Sequence, residues 1–117
     1  MIEIHLIKEP ITRVKLREIA KERFGDLVKV VVDVKQEIMS VGGGFHSDEQ
    51  VFLIEKCGSK GEDTWGINLY PDKSKNDMIE FDSVINLKPF QNNRSRSIEN
   101  PQIREKIREI VTKLILE

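Results

Sequence analysis

The residues best suited to do chemistry stand together at Gly42-Gly43-Gly44-Phe45-His46-Ser47-Asp48-Glu49. Successive glycines open backbone angles closed to other residues and let a ligand approach the main chain, so Gly43 and Gly44 are candidate ligand-binding positions. In an extended loop His46 and Asp48, two apart, project from the same side, and Glu49 adds a second carboxylate. Two chemistries suit that pair: two ligands of a divalent metal, or a histidine base oriented by a carboxylate. The loop is no Walker-type phosphate loop, because no Gly-Lys-Ser/Thr follows, and no dinucleotide fingerprint, because no helix is expected to open there. The plainer alternative is a polar loop entering a strand.

Other groups could complete such a site. If residues 50–87 form three antiparallel strands joined by turns at 58–63 and 71–77, one face carries Glu55, Gly66, Asn68, Tyr70, Glu80 and Asp82. In that register Asn68 faces Glu80, while Glu55 and Asp82 stand about 10 Å apart across a notch at Gly66. Two carboxylates over a gap could hold a cation or handle a proton; the alternative is a solvated face with a bulge at Gly66. A second cluster, Lys88, Arg94, Ser95 and Arg96, precedes the last helix. Helix N-termini favour anions and Arg supplies forked donors, so this connector could cradle a phosphate or carboxylate, although Glu99 opposes an anion there.

The elements that must position these groups follow from periodicity and punctuation. Ile2, Ile4 and Leu6 alternate with Glu3 and His5 as a half-buried strand with His5 at the surface, broken at Pro10. Thr12 caps a basic amphipathic helix running to about Phe24 and closed by Gly25. Residues 27–34 are nearly continuous in β-branched apolar residues, as in a strand buried on both faces, and 35–40 continue as strand or helical turn. In the meander Trp65, Ile67, Leu69, Ile79 and Phe81 share an apolar face with Phe52, Ile54, Ile85 and Leu87. Asn100-Pro101 opens a last helix whose stripe is Ile103, Ile107, Ile110, Val111 and Leu114, with Glu109 and Lys113 as an i, i+4 pair. The expected fold is α+β: a mixed, mainly antiparallel sheet in the order β-α-β-β-β-β-α, with two helices covering one face.

Composition bounds the function. A chain of 117 residues suits a single domain, 1–117. A third of the residues are charged, yet the net charge is −1, which disfavours nucleic acid and anionic membrane as partners. Cys57 is the only cysteine, so no disulfide framework or cysteine-based zinc site is expected. No apolar run approaches membrane-spanning length and no signal peptide is visible, so a cytoplasmic protein is expected.

Gly42-Gly43-Gly44, His46-Ser47-Asp48, Gly58-Ser59, the run Trp65-Gly66-Ile67-Asn68-Leu69-Tyr70-Pro71, Ile79-Glu80-Phe81, Ile85-Asn86, Asn93-Arg94-Ser95 and the Pro101/Arg104 helix together resemble a family of small bacterial and archaeal proteins known only as a domain of unknown function. The resemblance spans roughly residues 30–114, and Phe45 departs from the pattern. It implies no activity, cofactor or catalytic residue; it groups His46, Asp48, Trp65, Asn68, Tyr70, Asn86 and Arg94 in one pattern, which suits a shared site or a shared fold. Two functions follow. One is a small soluble binding module that uses the polar sheet face and the 42–49 loop to receive a small anionic ligand or a second copy of the chain, with Gly43, Gly44, Trp65, Asn68, Tyr70, Asn86, Arg94 and Ser95 in contact. The other is a hydrolase-like enzyme acting on an anionic substrate, with His46, Asp48 and Asp82 as catalytic groups and a divalent metal on His46 and Asp48.

Overall fold

The structure, a computed structural model, describes residues 3–117; Ile2, expected in the first strand, lies outside them. In chain order the elements are β1 (His5–Ile7), β2 (Ile11–Thr12), α1 (Arg13–Lys21), β3 (Val28–Asp33), β4 (Ile38–Val41), α2 (His46–Cys57), β5 (Thr64–Leu69), β6 (Ile79–Glu80), α3 (Pro101–Leu114) and β7 (Ile115–Leu116). Five strands pair antiparallel in the order β1-β4-β3-β5-β6, and β2 and β7 form a small parallel pair. The fold is α+β, as the sequence implies.

One sheet face is the main core. Val28, Val30 and Val32 of β3, with Met39, Val41, Trp65, Ile67 and Leu69 from its neighbours, pack against Leu16, Ile19 and Ala20 of α1 and Ile107, Ile110, Val111 and Leu114 of α3. Both helices start where the capping residues place them. Thr12 Oγ1 accepts from Lys15 N at 3.1 Å, and Asn100 Oδ1 accepts from Gln102 N at 2.8 Å with Pro101 at the first turn. The expected register also holds where β6 meets β5, with Asn68 opposite Glu80 and Leu69 opposite Ile79. Phe81 packs on the same core as Trp65. His5 departs from expectation: it pairs with Val41 on the helix-covered face and is half-buried, its Nε2 3.9 Å from Glu22. Lys113 turns to Glu37, 3.6 Å away, instead of to Glu109, and Lys106 joins it at 3.0 Å.

The largest correction is residues 50–57. They are the body of α2, not the first strand of a meander, and α2 covers the second sheet face through Leu53, with Phe52 and Cys57 beside Val31, Ile38 and Ile85. The sheet is therefore covered by helices on both faces. The misreading has a physical cause. The stripe facing the sheet, His46, Glu49, Gln50, Leu53 and Cys57, is spaced as a helix demands but is mostly polar, while Val51 and Ile54 are exposed. The Val51-Phe52-Leu53-Ile54 run thus resembles a strand. The helix signals lie at its ends: Asp48 and Glu49 in the first turn, and Gly58 closing the last at φ 67° with its N–H on Ile54 O. Residues 84–86 form a short 3-10 turn, so Ile85 packs under α2 and Leu87 is exposed.

Candidate functional site

With α2 laid across the polar face of the sheet, most of the expected site residues find partners of their own. Glu55 is exposed on α2 and does not stand across Gly66 from Asp82. What fills the Gly66 notch is Ser83: a Cβ on Gly66 would lie 2.5 Å from Ser83 Cβ. Beside it, Asn86 behaves as a piece of strand. Its Oδ1 accepts from Gly66 N at 2.8 Å and its Nδ2 donates to Gly66 O at 2.9 Å and Arg96 O at 3.0 Å. β6 reaches only Asn68 and Leu69, so the Asn86 amide takes the place of a missing neighbour along β5. Asn86 is fully buried, and so is Trp65 apart from 1 % of its surface, which removes both from ligand contact.

The glycine loop is likewise filled by protein. Gly42 leaves β4 at φ 92°. A Cβ on Gly43 would come within 2.8 Å of Glu49 Cγ, and one on Gly44 within 2.9 Å of Arg23 Nη1. The glycines therefore admit Glu49 and Arg23 and do not line an open ligand cradle. Glu49 is fully buried; its Oε2 accepts from Gly43 N at 2.9 Å and its Oε1 has no partner among the described residues. Burial drives its carboxyl well above the usual carboxylate range, against the opposing pull of the Gly43 N–H, Lys29 and Arg23.

The anion cradle expected before α3 is occupied from within the chain. Glu99 Oε2 accepts from Arg94 N at 2.9 Å and from Ser95 Oγ at 2.8 Å, and these bonds hold its carboxyl below its ordinary range. Lys88 is buried under Gly61, with its ammonium over the Trp65 ring at 4.9 Å. Asn68 and Tyr70 both donate to Glu80 Oε1, at 2.8 and 3.1 Å, as cross-strand ties; Asn68 Oδ1 is buried without a partner among the described residues.

His46 opens α2 and does not sit in an extended loop. Two helical steps turn Asp48 about 200° from it, so the two side chains do not converge, and Asp48 is exposed. Among the described residues no three His, Cys, Asp or Glu side chains stand close enough to hold a metal ion. His46 is buried against the sheet with Nε2 2.8 Å from Ile67 O. A carbonyl only accepts, so Nε2 carries the proton and Nδ1 keeps the lone pair in the neutral ring. Burial lowers the imidazole pKa, the Ile67 bond raises it, and Lys29 lowers it further. The ring is therefore neutral near neutral pH, and the Ile67 carbonyl gives it the orientation expected from a carboxylate at Asp48, Glu55 or Asp82.

Around His46 lies a cleft of about 200 Å³ lined by Lys29, Phe45, Ser47, Ser83, Val84, Ile85 and Arg96. Arg96 donates to Asp82 at 2.8 and 3.4 Å, and that guanidinium holds the Asp82 carboxyl below its usual range. His46, Asp82 and Arg96 thus do come together, whereas the Arg94 side chain is exposed and only its backbone N–H joins the Glu99 tie. Lys29, Ser47 and Ser83 were missed in sequence. Lys29 had a signal: a single lysine inside Val28-Lys29-Val30-Val31, where every neighbour is apolar.

Fold and cleft define an α+β domain whose antiparallel sheet is sandwiched between helices, with a basic notch at the start of the helix on its second face. Residues 5–114 match the model of a family described as a protein of unknown function, DUF5674, and the chain belongs to that family. No curated protein and no solved structure matches it. Among the described residues no helix is long and apolar enough to cross a membrane.

Proposed function

We propose that the chain is a binding module for a small anionic ligand, held in the cleft between the first turn of α2 and the 83–85 turn. The observation that carries the reading is Lys29. It projects from the middle of the sheet into the cleft, and among the described residues it makes no ion pair. Its ammonium lies over the Phe24 ring at 5.4 Å. Arg96 is matched by Asp82 and His46 is neutral, so the cleft keeps one uncompensated positive charge. Ser47 and Ser83 supply hydroxyl donors, and the α2 N-terminus adds positive potential. A compact oxyanion such as phosphate or carboxylate fits that set.

A hydrolase-like reading shares the same cleft and rests on the fixed tautomer of His46, whose Nδ1 is the one basic nitrogen there. Titration with inorganic phosphate, followed by ¹H–¹⁵N NMR, tests the binding reading. Saturable shifts at His46, Ser47 and Ser83 with a Kd near or below about 1 mM are expected. Lys29→Ala should weaken binding about tenfold, and Asp82→Asn should strengthen it roughly two- to fivefold by releasing Arg96 from a surface pair. No saturable shift at about 10 mM phosphate would overturn it. Turnover of an aryl ester or phosphate that disappears in His46→Gln would favour the enzyme.

A further inference from the structure

On the other side of the molecule, away from the α2 cleft, a cavity of about 150 Å³ lies between β6, the C-terminal half of α3 and the 71–77 turn. Its apolar floor is Met78, Ile79, Phe81, Val111 and Ile115, of which Met78, Val111 and Ile115 are buried. Lys75 and Arg108 stand at its rim, with Glu117 as the one acidic side chain.

The charges at the rim do not cancel. Glu117 is committed to Arg13, which donates to its Oε2 from Nη2 at 2.6 Å and from Nε at 3.2 Å. Arg108 lies over the Phe81 ring at 5.3 Å, and its only ion pair among the described residues is an exposed one with Glu105 at 3.5 Å. Lys75 makes no ion pair among the described residues. The walls are held in place: Arg13 Nη1 donates to Pro71 O and Lys73 O, both at 2.9 Å, which fixes the 71–77 turn over the cavity.

A cavity of about 150 Å³ is the size that accepts a benzene ring in other proteins. Apolar floors with a few polar groups at the mouth are the usual build of small-molecule sites. We infer that this cavity is a second binding site, for an organic carboxylate with one ring-sized apolar body: the body lies on Phe81, Val111 and Ile115, and the carboxylate meets Arg108 and Lys75. The anion cleft at α2 plays no part in it, so either site can fail without the other.

Benzoate is the probe, with benzyl alcohol as the uncharged match and benzylamine as the cation of the same shape. Methyl NMR of the intact chain should show saturable benzoate shifts at Met78, Val111 and Ile115, at a Kd of about 1 mM or tighter. Benzyl alcohol should bind about tenfold more weakly and benzylamine more weakly still. The double variant K75A/R108A, both surface changes, should bring benzoate down to the level of benzyl alcohol. Val111→Leu, which fills the cavity by one methylene, should weaken all three ligands. The inference is overturned if benzoate shifts do not saturate, if benzylamine binds as well as benzoate, or if K75A/R108A leaves benzoate affinity unchanged.

Discussion

Replacing Asn86 by alanine separates a ligand contact from a structural strut. In the folded chain the Asn86 amide satisfies both backbone groups of Gly66 and the Arg96 carbonyl, while the Asn86 carbonyl accepts from Asn93 Nδ2 at 2.7 Å. Asn86→Ala deletes the three side-chain bonds. At about 1 kcal/mol net for each, the loss is about 3 kcal/mol, and leaving the Gly66 N–H and C=O buried without partners carries it towards 5 kcal/mol. Domains of this length are stable by roughly 6–18 kcal/mol, so the change is a large share of the total. Urea unfolding should show a lower midpoint at unchanged slope, and the melting temperature should drop by roughly 12 °C or more. Asn86→Asp adds a sign test. It keeps the acceptor for Gly66 N–H but sets an oxygen against two carbonyls, which favours the protonated form in the fold. Its stability should therefore be greatest in acid and fall as pH rises. A stability loss for Asn86→Ala below about 1 kcal/mol would refute the strut and return Asn86 to the list of ligand contacts.

Two further outcomes follow from buried contacts. Glu49 has its folded pKa raised by burial, so the stability it leaves intact below the unfolded value, 4.5, is lost as pH climbs through the folded value. Glu49→Gln should flatten that decline and gain stability relative to the parent as pH rises above 4.5. His46, whose lowered pKa acts in the opposite sense, is common to both proteins and cancels in the comparison. Equal pH slopes in parent and variant would show that the Glu49 carboxyl is not held protonated. Gly66→Ala drives a methyl into Ser83 and should cost about 1–3 kcal/mol in chemical denaturation; adding Ser83→Gly should restore most of it, and a failure to couple would mean the two do not touch.

Local signals were sufficient wherever an element carries its own boundary. Thr12 and Asn100-Pro101 mark helix starts, the valine run marks the central strand, and alternation across 64–70 and 79–81 sets Asn68 against Glu80. Charge balance, the lone Cys57 and the α+β class also come from residue types alone. The rest depended on contacts between residues far apart in the chain. α2 buries Glu49 and His46 because the 42–44 arch and the Ile67 carbonyl receive them, and neither partner is visible in the helix's own periodicity. Asn86 looks like any polar loop residue until Gly66, twenty positions earlier, is seen to need a strand partner. Ser95 looks like part of an anion cradle until Glu99 is seen filling it. A polar side chain says what it can bond, but only the folded chain decides whether that bond is already made, and hence which groups, Lys29 foremost, are left without an ion pair among the described residues.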